Sequence, residues 1–176
     1  IWRSGANNHY ELNNANGDTV KHLKSIFDNI INYKKKGVRP IYVLDSVKPN
    51  DFKKAENKKR NSVEGRWKPT SAMIRETVEL INAMGVCVIE VDNSLIEGEC
   101  LLALMNKYGH IDAIVSGDMD VFMWGGKTLL APVHGKPNYF NIMEYDDIIN
   151  SVDPPLSHEE LVRICVCLGT DFHPED

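Results

Sequence analysis

The sequence predicts an α/β domain with a mainly parallel central sheet and helices on both faces. Three features carry that expectation. Helical and extended patterns alternate three times between Thr19 and Val115, the first extended run is continuously apolar, and a glycine closes each helix before the next strand begins.

Residues 19–36 place Val20, Leu23, Ile26, Phe27, Ile30 and Ile31 at helical spacing, with Asp18 or Thr19 as N-cap and Gly37 as the stop. Pro40 punctuates the chain before Ile41, Tyr42, Val43 and Leu44, a β-rich run that reads as a strand buried on both faces and ending at Asp45. A second helix starts at Thr70 or Ser71, runs through Ile74, Val78, Ile81 and Met84, and stops at Gly85 ahead of a strand over 86–91. A third spans 97–108, ends at Gly109 and precedes a strand over 112–115. Shorter extended runs follow at 128–133 and 139–143, and a last helix begins at Ser157 with Glu160 in capping-box register. The one compositional break is 48–69, polar, basic and almost free of large aliphatics. It reads as a flexible loop or an exposed helical excursion, folding over a ligand rather than into the core.

At 176 residues the chain has the size of one domain, and 43% hydrophobic with 26% charged residues excludes disordered, collagenous and disulfide-scaffold classes. No apolar run approaches the roughly 18 residues that span a bilayer, and the first residues lack the pattern of a signal peptide. The expectation is a soluble, intracellular protein without a membrane partner, monomeric, and part of something longer, since it starts at Ile1 without a Met. Cys87, Cys100, Cys165 and Cys167 form no Cys-x-x-Cys pair and read as buried, reduced thiols.

A net charge of −5 taken alone argues against a nucleic-acid partner, yet the distribution is uneven. Lys53, Lys54, Lys58, Lys59, Arg60, Arg66 and Lys68 against Glu56 and Glu64 make this one segment +5 and leave −10 elsewhere. That asymmetry suggests an acidic site beside a basic contact surface.

Ligands of parallel α/β sheets bind beyond the carboxyl ends of the strands, so acids placed there matter most. Asp45 closes the first strand; Glu97 and Glu99 follow the second; Asp118 and Asp120 follow the third through Ser116 and Gly117; Asp171 follows the last helix. Two unit charges 4 Å apart repel by about 4 kcal/mol at intermediate dielectric, so six converging carboxylates need cancelling charge. Oxygen-only ligands with no neighbouring His or Cys point to Mg²⁺, with Mn²⁺ as the alternative, and six ligands are more than one Mg²⁺ usually takes from protein, hence two ions. Each feature also has a plainer reading: an Asp after a strand as a helix cap, an acidic pair as dipole compensation, a basic run as solvated surface. Their joint placement favours the metal site. His22, His110, His134 and His173 lack ligand spacing and receive no role; Met119, Phe122 and Trp124 read as core and turn packing rather than a base-stacking platform.

The order of motifs resembles the flap endonuclease and XPG-type family of structure-specific 5′ nucleases. It runs Pro40-Ile41-Tyr42-Val43-Leu44-Asp45, Lys48-Pro49, the basic run, Met84-Gly85-Val86, Glu97-Gly98-Glu99-Cys100, Ser116-Gly117-Asp118-Met119-Asp120 and Leu168-Gly169-Thr170-Asp171-Phe172. The resemblance implies a two-metal phosphodiesterase of replication, repair or recombination, acting on branched or 5′-ended DNA and leaving a 5′-phosphate and a 3′-hydroxyl. Asp45, Glu97 and Glu99 match the acids of one Mg²⁺; Glu99, Asp118, Asp120 and Asp171 match those of the second. Lys53 and Arg60 resemble the family's catalytic pair at the scissile phosphate, although their offset from Asp45 is one residue longer than usual. Lys54, Lys58, Lys59, Arg66 and Lys68 would then hold the DNA backbone.

Three departures accompany the resemblance. A further family metal-ligand Asp would precede Ile1, and the family's duplex-gripping helix-turn-helix would begin after Asp176; replication or repair protein partners would attach through the missing termini. The chain between Asp45 and Glu97 is shorter than a full helical arch, which fits a short-arch member acting on junctions or other structures. The implied compartment is nuclear in a eukaryote and cytoplasmic otherwise. Competing readings are a PIN-like ribonuclease, a nucleotide-sugar transferase using Asp118-Met119-Asp120, and a degenerate nuclease fold serving as a DNA-binding scaffold.

Overall fold

The computed structural model describes residues 12–45, 69–91, 96–136 and 139–169. The chain divides into two compact units, Ile1–Leu44 with Asn61–Glu90, and Asp45–Arg60 with Val91–Asp176.

The first unit holds helix α1 (Lys21–Lys35), strand β1 (Ile41–Leu44), helix α2 (Ser71–Ala83) and strand β2 (Cys87–Glu90). β1 and β2 pair in parallel, with Ile41 opposite Cys87 and Leu44 opposite Glu90. Ile26 and Ile30 of α1 and Ile81 of α2 close on Tyr42 and Val86. Burying each such side chain stabilises the unit by about 1.5–3 kcal/mol. β1 is less enclosed than its apolar run suggests: Tyr42 is buried, Val43 and Leu44 are half-buried, and Ile41 is exposed.

α1 is capped by neither Asp18 nor Thr19. Its N-cap is Val20, because the preceding loop claims both residues. The Asn14 carboxamide oxygen accepts from the Asn16 and Asp18 amides at 2.9 Å, and Thr19 bridges to Asn13. α2 keeps its expected cap, the Thr70 hydroxyl accepting from Met73 N. Gly85 ends it at φ +67°, a conformation that glycine adopts without a Cβ penalty. His22, given no role by spacing, is buried, and its Nε2 lies 3.0 Å from Oε2 of Glu76, tying α1 to α2.

The second unit holds helix α3 (Gly98–Lys107), strand β3 (Ile114–Val115), a 3₁₀ turn (Asp120–Phe122), strands β4 (Thr128–Pro132) and β5 (Phe140–Glu144), and helices α4 (Tyr145–Ile149) and α5 (His158–Leu168). Among the described residues the strands pair as two ladders, one in each unit. β3 and β4 pair in parallel, whereas β4 and β5 are antiparallel, Thr128 facing Glu144 and Pro132 facing Phe140. The short link between β4 and β5 selects that sense, since a parallel return needs a crossover of a dozen or more residues.

Ala103, Ile114, Val121, Phe122, Leu129 and Leu161 form one core, so α3, β3, the 3₁₀ turn, β4 and α5 are fixed against each other. α5 begins as expected, with Ser157 and Glu160 in a complete capping box. α4, five residues long, is too short to show a period in sequence.

The expectation of buried thiols fails while that of free thiols holds. Cys87 and Cys167 are exposed and Cys100 and Cys165 half-buried, all four unpaired as disulfides. Among the described residues no helix is long and apolar enough to cross a membrane.

Candidate functional site

Five of the six expected carboxylates lie in the described part of the second unit. Three gather by sequence and contact at the N-terminus of α3. Glu97 is its N-cap residue, in extended conformation and without a side-chain cap bond, and Glu99 sits in the first turn. The missing acceptor comes from a distant segment: Gly98 N donates to Asp45 Oδ1 at 2.8 Å. Unsatisfied amides and the positive end of the helix dipole favour anions there.

The second arm hangs from β3. Ile114 is fixed in the core, and Ser116 follows at once. The Ser116 hydroxyl donates to Glu99 Oε1 at 2.8 Å and accepts from Asp118 N at 3.1 Å. Asp118 Oδ1 in turn accepts from Asp120 N at 3.0 Å. Asp120 opens the 3₁₀ turn, whose Val121 and Phe122 are buried. Hydrogen bonds therefore run from Glu99 through Ser116 and Asp118 to Asp120, joining α3 to the loop after β3.

Nearby thiols report the acidic field. Burial pushes the Cys165 thiol up, and the Asp120 carboxylate adds to it; burial followed by Glu97 does the same to Cys100. The side chains of Glu97, Glu99, Asp118 and Asp120 offer oxygen donors, which suit a hard divalent cation better than zinc.

Among the described residues no three Asp, Glu, His or Cys side chains are grouped closely enough to hold an ion. The plainer readings are also realised in part, since Asp45 does serve a helix N-terminus and Glu99 does occupy a first turn. Asp171, Lys53, Lys54, Lys58, Lys59, Arg60, Arg66 and Lys68 lie outside the described residues, as does all of 48–69 except Pro69. Phe122 is core as expected, whereas Met119 and Trp124 are 51% and 41% exposed and do not pack as core. Spacing missed Ser116 and the Gly98 amide. A hydroxyl two residues before Asp118 is the only trace of the Ser116 contact in sequence, and Gly98 N leaves none.

A model of the XPG I-region matches residues 88–171, and a model of the XPG N-terminal domain matches residues 4–66. The chain belongs to the XPG and flap endonuclease family. The first match takes in Glu97, Glu99, Asp118, Asp120 and Asp171; the second takes in Asp45, Lys53 and Arg60. Flap endonuclease 1 of Pyrobaculum islandicum is 28% identical over 193 residues, covering 90% of this chain and 54% of that protein. The fold is similar to that of flap endonuclease-1 from Methanococcus jannaschii, with a TM-score of 0.72 and 21% identity over 93% of this chain and 58% of that one. It is also similar to the Holliday junction-resolving enzyme GEN1 in complex with product DNA and a Mg²⁺ ion, with a TM-score of 0.60 and 19% identity over 83% of this chain and 32% of that one. These structural likenesses establish the α/β fold. The chain spans about half the length of the curated relative it matches.

Proposed function

We propose that the protein is a divalent-metal-dependent, structure-specific DNA nuclease that hydrolyses phosphodiester bonds at flaps, junctions or 5′ ends. The observation that carries this reading is the hydrogen-bonded run Glu99–Ser116–Asp118–Asp120, which joins two of the acid-bearing segments within a family of nucleases. Asp45, Glu97 and Glu99 would hold one Mg²⁺, and Glu99, Asp118, Asp120 and Asp171 a second, with Mn²⁺ able to substitute. When bound, the ions supply an activated water and cancel charge on the phosphoryl group and leaving oxygen.

The protein's own contribution is placement. The α3 N-terminus and the Ser116 loop hold carboxylates that would otherwise repel each other, and Lys53 and Arg60 meet the scissile phosphate with positive charge. Lys54, Lys58, Lys59, Arg66 and Lys68 contact neighbouring phosphates, which positions the duplex without reading its sequence. Genomic DNA as substrate places the protein in the nucleus of a eukaryote or in the cytoplasm otherwise.

The test is a cleavage panel of flap, bubble, nicked and four-way-junction DNA with Mg²⁺ and with EDTA. Metal-dependent incision of one or more of these structures, in preference to plain duplex, is the expected result. Cleavage of RNA in place of DNA would establish the PIN-like ribonuclease instead. Tight DNA binding with no cleavage in Mg²⁺ or Mn²⁺ would establish the scaffold.

A further inference from the structure

We infer that the cleft at the C-terminal end of α3 binds a phosphate-bearing small molecule of about mononucleotide size, held by Lys107 and Lys127. The cleft lies wholly in the second unit and shares no residue with the acidic loop, so it stands apart from the nuclease reading. Lys107 ends the helix whose first turn carries Glu99, about 12 Å farther along the axis at 1.5 Å per residue.

The walls of the cleft are fixed from behind. Asn106 Oδ1 accepts the Lys127 amide at 2.6 Å, and the Lys127 carbonyl accepts the Tyr145 amide at 2.8 Å. The Tyr145 hydroxyl lies 2.9 Å from Nδ1 of His158, the first residue of α5. Hydrogen bonds thereby tie the end of α3, the entry to β4, the start of α4 and the start of α5 around one space of about 600 Å³. That is far more than a phosphate ion fills and lies within the range of small-molecule sites.

A lysine in the last turn of a helix is by itself ordinary compensation of the helix dipole. Lys107 is placed more closely than that requires. A Cβ at Gly125 would stand 3.0 Å from its Cδ and 3.1 Å from its Nζ, so glycine at that position leaves room for the side chain to lie along the cleft wall. Among the described residues neither Lys107 nor Lys127 makes an ion pair, although two carboxylates line the same cleft. Glu144 is turned to the Thr128 hydroxyl, which donates to its Oε2 at 2.7 Å. Asp146 is exposed, where water and salt screen its repulsion of an anion. Two ammonium groups with three donors each therefore face one cleft with no carboxylate taking their protons, and phosphate oxygens accept such charge-assisted bonds.

The aromatic pair supplies the rest. Burial, with the Asp146 carboxylate adding, pushes the Tyr145 phenol up, so it keeps its proton and donates to His158 Nδ1. The His158 Nε2 then carries the ring hydrogen and is a further donor. The two rings, with centroids 5.9 Å apart, line the cleft with flat faces against which a base packs.

The experiment uses deoxyadenosine monophosphate, deoxyadenosine and inorganic phosphate as probes, in EDTA so that no metal mediates binding. Calorimetry reads affinity, and amide shifts in NMR spectra read location. The monophosphate should bind, inorganic phosphate should displace it, and deoxyadenosine should bind at least about tenfold more weakly, the loss of a hydrogen bond to a charged group. Lys107→Gln with Lys127→Gln, at two exposed positions, should weaken the monophosphate by about tenfold or more, whereas Lys53→Ala with Arg60→Ala should leave it within about twofold. The amides of Lys127, Thr128 and Tyr145 should shift on titration and that of Asp118 should not. Absence of monophosphate binding, unchanged affinity in the folded Lys107 and Lys127 double variant, or a loss in the Lys53 and Arg60 variant instead, overturns the site. Shifts confined to other amides of the wild type overturn it whether or not the lysine variant folds. Equal binding of deoxyadenosine overturns phosphate as the group recognised.

Discussion

Asn106, near the end of α3, accepts the backbone N–H of Thr128, the first residue of β4, at 2.9 Å through its side-chain Oδ1. The same oxygen accepts from Lys127 N at 2.6 Å, and the Nδ2 donates to the carbonyls of Ile111 and Asp112 at 3.0 and 3.1 Å. A buried carboxamide has two acceptor sites and two donors, and all four are used. One side chain thus fixes the helix that carries Glu99 against the chain entering β3, which carries Ser116 and Asp118.

Replacing Asn106 by Ala should therefore cost on the order of 3 kcal/mol, because buried backbone groups left without partners lose about 1–3 kcal/mol each and partial hydration recovers some of it. Urea unfolding measures it directly. Asn106→Asp should be comparably damaging, since it keeps the acceptors, loses both donors and buries a charge. A loss below about 0.5 kcal/mol in both, the level of an ordinary surface substitution, would deny Asn106 this role.

Gly117, within the acidic loop, and Gly126, after the 3₁₀ turn, should respond differently to the same change. A Cβ on Gly126 would lie 3.0 Å from the Val121 carbonyl and 3.1 Å from Ile114 Cδ1, both parts of a close-packed region. Gly126→Ala should destabilise by about 1–3 kcal/mol, the usual cost of overpacking. Gly117→Ala meets nothing within 4 Å and should stay within about 0.5 kcal/mol of wild type. Matched denaturation curves decide between them.

On the proposed reading, in which acids hold metal and basic residues hold phosphate, Asp118→Ala and Asp120→Ala should each abolish metal-dependent cleavage while leaving DNA affinity near wild type. Binding is read by fluorescence anisotropy in Ca²⁺ and cleavage on the same substrate in Mg²⁺. Full turnover in both variants would remove the aspartates from the site.

Lys53 and Arg60 replaced together by Ala should flatten the dependence of log affinity on log salt by up to about two phosphate contacts' worth of slope. Titrations of the same DNA at several salt concentrations give that slope. An unchanged value would return the basic run to solvated surface.

The α5 capping box should be sensitive to acid. Glu160 accepts from the Ser157 hydroxyl and amide at 2.7 and 2.8 Å, and these bonds hold its carboxyl below the usual range. A pKa lower in the folded than the unfolded state gives stability that is present above the ordinary Glu value and lost as pH falls through the depressed one. The Tm difference between wild type and Glu160→Ala should be widest near neutrality and narrow as the pH falls below about 4, the range in which an ordinary Glu titrates. A difference constant across that range would mean the box contributes by shape alone.

Features set within a few residues along the chain were legible without the structure. The spacing of Ile26 and Ile30, the Thr70 cap, the Ser157–Glu160 box and the stops at Gly37, Gly85 and Gly109 all depend on neighbours within one or two turns, so periodicity and residue type report them. The motif order that marks the family is likewise linear. Local pattern reached its limit where distant segments compete for the same groups. Asp18 looks like a cap until Asn14 takes its amide, and His22 looks idle until α2 brings Glu76 to it. The site shows the same limit most sharply. Sequence named Asp45, Glu99 and Asp118 as acids, but only tertiary structure put Gly98 N on Asp45 across 53 positions and the Ser116 hydroxyl between Glu99 and Asp118. A hydrogen bond needs its partners placed to a few tenths of an ångström, and that placement comes from the packing of Ile114, Val121, Leu129 and Leu161, whose side chains carry no trace of the chemistry they position.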